Sequence, residues 1–331
     1  MKLITPSYFD SFRCIAGLCP DSCCKEWDVL VDPDKATYYR SLSGPLGDRL
    51  RQVLTDEDGE TYMMIEDRRC PMWRHDGLCR IQAELGENAL CKTCREFPRL
   101  THDYGDFVEM GLELSCPEAA RIIFESDYPS YLTAELPAGE DPEYDEEAME
   151  VLLRTREQIR QILKDKSRNV AETLAISLMY GYHAQSELDG AELPPFDPDA
   201  ALEDALHFAH AGDADAILDF FKDLEILTDH WADRLNHPTP TVWSPAHRKL
   251  ALYFVDRYWL QAVSDYDLVG RVKLMIISCL MVKTLGGDIV STAQVYSKEI
   301  ENSIENIESI LDGAYAAPAF TDDRLLGLLL L

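Results

Sequence analysis

Cysteine is the reactive residue type that stands out in this chain, which has ten cysteines among 331 residues. Nine of them lie within the first 116 residues, and Cys279 lies alone far downstream. The clustered cysteines are Cys14, Cys19, Cys23, Cys24, Cys70, Cys79, Cys91, Cys94 and Cys116. Thiolates bind soft metals and iron–sulfur clusters, and short spacings bring two thiols to one metal with little loss of chain entropy. The pattern therefore predicts a metal or cluster site.

The spacing leaves the kind of metal open. Both a [4Fe–4S] cluster and a structural zinc ion take four cysteine ligands. Two observations favour iron: nine thiols are more than one zinc ion needs, and only Cys91 and Cys94 have the CxxC spacing of a zinc ribbon. Because adjacent side chains diverge, we expect one thiol of the Cys23-Cys24 doublet to pack as a small hydrophobic group. A zinc-stapled fold without catalysis stays as the alternative.

Other catalytic motifs are missing from the sequence. The radical-enzyme pattern C-x3-C-x2-C begins at Cys19 and Cys23, but its third position is Glu26. Apart from Gly286-Gly287 the glycines are scattered singly, so no glycine-rich nucleotide turn is present, and there is no Walker-type loop, HExxH or GxSxG run. No short motif assigns a reaction to the chain.

The charge of the chain argues against nucleic-acid and membrane partners. It has 31 basic and 60 acidic residues, a net charge of −29, which repels phosphate backbones and anionic lipid. Such a charge either keeps the chain soluble or attracts a cationic, lysine-bearing partner. The longest apolar run, Leu274 to Val282, is too short to span a bilayer and predicts a buried helix. The first residues lack the apolar stretch of a secretion signal. We expect a soluble cytoplasmic protein, where clustered cysteines favour metal ligation over disulfides.

The elements that must position the cysteines are short, and those that follow are long. Residues 1–130 are predicted to form a cysteine-rich metal or iron–sulfur domain of short strands and helices, with Cys116 at a helix N-terminus before Pro117. Residues 131–147 are rich in acids, proline and glycine and predict an exposed linker. Residues 148–331 show helical apolar spacing and predict a helical domain. The predicted fold class is mainly α, with an α+β N-terminal part.

Three runs of the cysteine-rich segment resemble one family. TPSYFDSFRCIAGLCPDSCCKEWDVLVD is similar to the start of the FliB family, the flagellin lysine N-methylases. CPMWRHDGLCRIQAELGENALCKTCREFPR and ELSCPEAAR follow in the order that this family has. The resemblance covers roughly residues 5–125 and implies methylation of flagellin lysines by S-adenosylmethionine, with a cysteine-ligated [4Fe–4S] cluster. The family pattern covers Cys14, Cys19, Cys23, Cys24, Cys70, Cys79, Cys94 and Cys116.

Beyond these thiols, the resemblance leaves the roles of individual residues open. Cys91 is less typical of the family pattern, so we treat it as a bystander. The cofactor-binding candidates are Arg99, which could pair with a cofactor carboxylate, and Glu118. Glu118 is also, with Glu113 and Tyr104, a candidate for removing the proton from a lysine ammonium, since methyl transfer needs the neutral amine.

Two questions remain at the level of the sequence. It does not choose which four thiols bind the metal, and it does not locate the methyl donor. Trp27, which follows the cysteine doublet, is expected to shield the cluster by packing. The alternative function is an iron–sulfur or zinc protein with a redox or structural role and no methylase activity.

Overall fold

The computed structural model describes residues 1–25, 28–137, 139 and 141–331. Over this part of the chain 57% of the residues are helical, and the strands of its sheets lie before residue 136. This confirms the predicted fold class, mainly α with an α+β N-terminal part. The role predicted for Trp27 lies outside the described residues.

The strands form two sheets. They are β1 Lys2–Pro6, β2 Val29–Val31, β3 Leu54–Glu57, β4 Glu60–Met63, β5 Arg99–Asp103, β6 Phe107–Leu112 and β7 Tyr131–Glu135. The larger sheet has the order β5-β6-β1-β7, in which β1 runs parallel to β6 and antiparallel to β7. The smaller sheet has the order β2-β4-β3, with Val29 opposite Met63. Strand β2 carries Val29 and Val31, both of which are buried, on one face.

Short helices carry the cysteine-rich segment between these strands. They are α1 Pro33–Ser41, α2 Gly44–Val53, α3 Arg80–Leu85, α4 Lys92–Glu96 and α5 Pro117–Glu125. Helix α3 ends at Gly86, whose φ of 86° is a conformation that glycine adopts without strain. Cys116 is the N-cap of α5 and Pro117 is its first residue, as the sequence predicts.

Longer helices make up the rest of the molecule. They are α6 Glu146–Lys164, α7 Val170–Leu188, α8 Pro198–Phe208, α9 Ala214–Lys222, α10 Asp229–Asn236, α11 Pro245–Tyr258, α12 Leu268–Leu285, α13 Ile289–Ile300, α14 Ile304–Ala316 and α15 Asp322–Leu330. Helix α12 contains the apolar run Leu274 to Val282 and is buried on every side, as expected for a core helix. Among the described residues, no helix is both long and apolar enough to cross a membrane.

Two hydrophobic cores fill the molecule. The large core joins α5 and the larger sheet to the long helices, and includes Leu114, Leu152 and Trp259. The small core lies among β2, β4 and helices α1 to α3, and includes Val31, Leu50 and two cysteines. The cysteine-rich segment therefore contributes to both cores, and its thiols lie where these cores meet.

The division into domains at residues 130 and 148 stays a prediction. Strand β7, at the start of the segment predicted to be a linker, pairs with β1 over Lys2 to Pro6 as an edge strand of the larger sheet. Helix α6 begins at Glu146, where Asp145 accepts hydrogen bonds from the backbone N–H groups of Glu147 and Ala148.

Candidate functional site

A cavity of about 600 Å³ lies between the small core and the long helices. Its wall includes all nine N-terminal cysteines: Cys14, Cys19, Cys23, Cys24, Cys70, Cys79, Cys91, Cys94 and Cys116. The volume falls in the range of small-molecule sites in proteins. Cys279 lies elsewhere, completely buried on α12, where its thiol donates to the carbonyl oxygen of His247 over 3.8 Å. The thiols that the sequence groups together are thus brought to one cavity.

Backbone contacts around the smaller sheet place several of the thiols. The N–H of Cys70 donates to the carbonyl oxygen of Cys24 over 2.8 Å, which fixes these two residues side by side. Cys79 forms an antiparallel bridge with Trp73. Helix α4, which follows Cys91, is attached to this sheet. The Lys92 N–H donates to the carboxylate of Asp32, the residue after β2, over 2.6 Å. The smaller sheet is therefore the scaffold of this half of the cavity.

The opposite wall depends on α13, far away in the sequence. The amide of Gln294 donates to the carbonyl oxygen of Ser115 over 2.8 Å and to the carboxylate of Asp21 over 2.9 Å. Lys298, one turn later, forms an ion pair with Asp21 at 3.1 Å and also lines the cavity. These contacts hold the segment around Asp21 against the residue that precedes Cys116.

Two pairs of thiols interact directly. The Cys23 thiol donates a hydrogen bond to Cys24, which lowers the pKa of Cys24 to about 7. Cys94 donates in the same way to Cys91 and lowers its pKa to about 7. Cys24 packs against the small core, as expected for one thiol of the doublet, while the hydrogen bond keeps the two thiols in contact. The reason is that both side chains face the cavity at a bend of the chain.

Burial opposes ionisation at other thiols. It raises the pKa of Cys70 to about 12 and that of Cys116 to about 11. At Cys116 the backbone N–H groups of Ala119 and Glu118 favour the thiolate, as expected at a helix N-terminus, but burial has the larger effect. A bound metal cation would reverse this balance because a coordinating thiol loses its proton.

The donor set fits a thiophilic metal or an iron–sulfur cluster, since nine thiols surround one cavity. Within the described part of the chain, no three His, Cys, Asp or Glu side chains lie close enough together to hold a metal ion as they stand. Binding of a single metal ion at this site therefore requires the thiols to move closer together.

Both cofactor-binding candidates line the cavity. The guanidinium of Arg99 lies 5.2 Å from the centre of the Phe12 ring, and the carboxylate of Glu118 is paired with Arg121 at 2.7 Å. Glu113 also faces the cavity and accepts a hydrogen bond from the Ser115 hydroxyl over 2.6 Å.

Burial raises the pKa of Glu113, against the lowering effects of Arg257 and the Ser115 hydroxyl. The third candidate base, Tyr104, instead stacks on Phe107 at 4.8 Å and packs against Tyr144. Among the three candidate bases, Glu113 is the one that both lines the cavity and is deeply buried.

Sequence reasoning missed the part of the wall that comes from the C-terminal half. Lys298 and Asn302, from the C-terminal half, line the cavity, and so does Asp21 from the N-terminal segment. Lys298 is 277 residues from its partner Asp21, and no local pattern marks either residue as part of a site. Cys91, which was set aside, lines the same cavity and is 2% exposed. The structure gives no ground for separating Cys91 from the other eight thiols.

Fold and cavity together define a mainly helical protein with a thiol-lined cavity in its cysteine-rich part. The flagellar biosynthetic protein FliU of Salmonella muenchen is 33% identical over 138 residues, which cover 38% of this chain and 82% of the relative. The chain therefore belongs to the FliB and FliU family.

Two proteins named lysine-N-methylase show the same degree of similarity. They come from Salmonella typhimurium and Salmonella choleraesuis, and each is 33% identical over 138 residues. The matched region covers 38% of this chain but only 34% of the length of either methylase. No family profile and no solved structure matches the chain.

Proposed function

We propose that this protein is a protein-lysine N-methyltransferase that uses S-adenosylmethionine and carries a [4Fe–4S] cluster on its cysteines. The observation that carries the proposal is the 33% identity to two proteins named lysine-N-methylase. The thiol-lined cavity is the candidate site, because it brings the cysteines together with a buried carboxylate and an arginine.

The chemistry needs a neutral lysine amine, and Glu113 is the residue best placed to produce it. Its carboxylate is 8% exposed and its pKa is raised by burial, so it can accept a proton from a lysine ammonium. The amine lone pair then forms the N–C bond to the donor methyl group. The S–C bond of the donor breaks at the same time, and its electron pair leaves with the sulfur as a neutral thioether.

Two further residues would hold the donor. Arg99 offers a guanidinium to the carboxylate of the methionine part, and Glu118 offers a carboxylate to its amino group. Arg121 fixes the position of Glu118 through two hydrogen bonds, of 2.7 and 2.9 Å. Both candidates face the same cavity, so a single donor molecule could reach them.

The cysteines would supply the ligands of the cluster. When bound, a cluster or a zinc ion ties the chain segments of the cavity wall together, and a cluster can also exchange electrons. The thiols come from four separate segments of the chain, which the shared cavity places around one space.

We propose a lysine-bearing protein as the substrate, with flagellin as the first candidate. FliU is named a flagellar biosynthetic protein, and a net charge of −29 attracts cationic side chains. The reaction would take place in the cytoplasm, where clustered thiols stay reduced.

The test is methylation of purified flagellin by anaerobically purified, metal-replete protein. With S-adenosylmethionine carrying a labelled methyl group, we expect labelled methyl-lysine in peptides analysed by mass spectrometry. Replacing Glu113→Gln should lower kcat about 100-fold or more, the usual effect of losing a general base. Glu308→Gln, on the exposed face of α14, is the matched control and should keep full activity.

A separate variant tests donor binding. Arg99→Met should raise the KM for S-adenosylmethionine and leave the KM for flagellin unchanged. If metal-replete protein transfers no methyl group to any lysine substrate, the methyltransferase proposal is wrong.

The second candidate is an iron–sulfur or zinc protein with a redox or structural role. It is favoured by one observation: the chain matches only 34% of either named methylase. Reversible bleaching of a cluster absorption band by dithionite, without any methyl transfer, would support it.

A further inference from the structure

The nine thiols of the cavity wall fall into two groups on opposite sides. The helix-side group is Cys14, Cys19, Cys23 and Cys116, and the sheet-side group is Cys24, Cys70, Cys79, Cys91 and Cys94. The two hydrophobic cores give the first reason for this division. Cys116 belongs to the large core, whereas Cys70 and Cys91 belong to the small core and Cys24 and Cys79 pack against it.

Backbone contacts give a second, independent reason. In the sheet-side group, the N–H of Cys70 donates to the carbonyl oxygen of Cys24. Cys79 pairs with Trp73 in an antiparallel β-bridge. In the helix-side group, Gln294 joins Asp21 to Ser115 by two hydrogen bonds, which brings the segment of Cys19 and Cys23 to Cys116. Each group is therefore built on its own scaffold.

Electrostatic neighbours follow the same division. After the hydrogen bond to Cys24, burial and the charge of Cys24, the groups that raise the pKa of Cys23 are Cys14 and Cys116. After burial, the thiols that raise the pKa of Cys70 are Cys24, Cys79 and Cys91. The thiols that affect the pKa values of Cys19, Cys79, Cys91, Cys94 and Cys116 likewise belong to the group of each residue. The contact between Cys23 and Cys24 is the exception among these described residues.

The doublet stands where the two groups meet. Cys23 has its neighbours in the helix-side group, and Cys24 has its neighbours in the sheet-side group. Two consecutive residues can give one ligand to each of two sites by rotating their side chains apart. This would explain why two cysteines stand side by side at residues 23 and 24.

We propose that the protein has two separate thiolate-ligated metal centres, one held by the helix-side group and one by the sheet-side group. The helix-side group has four thiols, the full complement of one tetrahedral zinc ion or one [4Fe–4S] cluster. The sheet-side group has five, one more than either requires. A soft metal or cluster is the ligand class at both centres, because the donors are thiols throughout. The inference rests on the metal-binding part of the proposed function and is independent of methyl transfer.

The experiment measures iron, zinc and acid-labile sulfide per chain in the full-length protein purified without oxygen. Cys14→Ser leaves three thiols in the helix-side group. The double variant Cys91→Ser/Cys94→Ser leaves three in the sheet-side group. Each should lose about half of the bound metal, and the triple variant should lose nearly all of it. Cys279→Ser is the control, since its thiol lies in the helical core away from the cavity, and it should lose none.

The kind of metal lost identifies each centre. Iron lost together with sulfide shows a cluster, and zinc lost without sulfide shows a zinc ion; both results support two centres. Loss of all metal in either single-group variant, with an unchanged circular dichroism spectrum, shows one shared centre and overturns the proposal. So does an unchanged metal content in both variants.

A second measurement does not depend on the folding of any variant. The mass of the intact unmodified protein under non-denaturing conditions gives the number of centres directly. A mass corresponding to the chain plus two centres is expected, and one centre overturns the proposal. If two centres are present but no lysine is methylated, the proposed enzymatic function fails while this inference stands.

Discussion

Nearly all apolar side chains of helices α11 to α13 are buried, whereas the smaller sheet and helices α1 to α3 share a core of few residues. The first region has Trp259, Phe254 and Tyr296 among its buried side chains. The second includes two cysteines, Cys70 and Cys91, among its buried residues. Small cores seldom supply enough hydrophobic free energy by themselves, so a structural metal has more to contribute there than in the helices.

This difference leads to the largest effect we expect, which is the removal of metal. A chelator should destabilise the cysteine-rich part by on the order of 10 kcal/mol, since structural metals supply folding free energy of that size. The helices α6 to α15 should keep their structure because, among the described residues, Cys116 is the one proposed ligand that belongs to the large core. Hydrogen exchange measured by mass spectrometry should show protection lost around Cys70 and Cys91 but retained in α12. An equal loss of protection in both regions would contradict the expected difference in stability between them.

A substitution in the helical core should lower the stability of the helices without removing metal. Phe221 is completely buried, and its ring lies 5.9 Å from that of Tyr296 and 6.4 Å from that of Trp231. Phe221→Ala should lower the free energy of unfolding by about 3–5 kcal/mol through the cavity that it leaves. The metal content per folded chain should not change. Val242→Ala, at an 82% exposed position, is the control and should have little effect. Denaturant unfolding followed by circular dichroism measures both variants.

Acid should weaken the helical part through His247. Burial lowers the pKa of this residue from 6.5 to about 4. Because the folded state binds the proton less readily than the unfolded chain, the stabilisation is complete above pH 6.5. It decreases as the pH falls from 6.5 towards 4, by about 3 kcal/mol in total.

The matched variant is His247→Gln. The Nδ1 atom of His247 accepts the backbone N–H of Ser244 over 3.1 Å, and a glutamine at this position can make the same capping contact without titrating. Melting temperatures measured between pH 4 and 7 should depend less steeply on pH in the variant. An identical pH dependence in both proteins would exclude His247 as the cause.

The smallest effect concerns the junction between the two regions. Lys298→Met removes the ion pair with Asp21 but keeps the hydrogen bond from Gln294 to the same carboxylate. We expect a loss of about 1–3 kcal/mol, the range for leaving a buried polar group with fewer partners. Asp219→Asn, which loses an exposed ion pair with Lys222, is the control and should change stability by less than about 1 kcal/mol. Thermal unfolding measures the difference.

Local features of the fold could be predicted from the sequence. Pro117 after Cys116 and Pro245 after Ser244 each mark the start of a helix, and both helices begin there. Gly86 ends α3, and the apolar run from Leu274 to Val282 lies in a fully buried helix. These predictions hold because each depends on residues within one or two helical turns.

The candidate site could be predicted only in part. The sequence indicated a site with the thiols as its donors, and all nine clustered cysteines line one cavity. It did not indicate that the thiols of Cys23 and Cys24 interact or that Lys298 and Asn302 complete the wall, and the family pattern set Cys91 apart although it lies in the same wall. Each of these depends on how distant segments pack, and no spacing rule describes such packing.

The sequence by itself determined the number and type of donor groups, the acidic surface and the long apolar helices. The tertiary structure alone decided that Cys70 and Cys91 are buried in the small core and Cys116 in the large one. It also decided that Gln294 and Lys298 on α13 hold the segment around Asp21 in place. The physical reason is that hydrogen bonds and ion pairs between distant segments form only after both cores have packed, so nearby residues contain no signal of them.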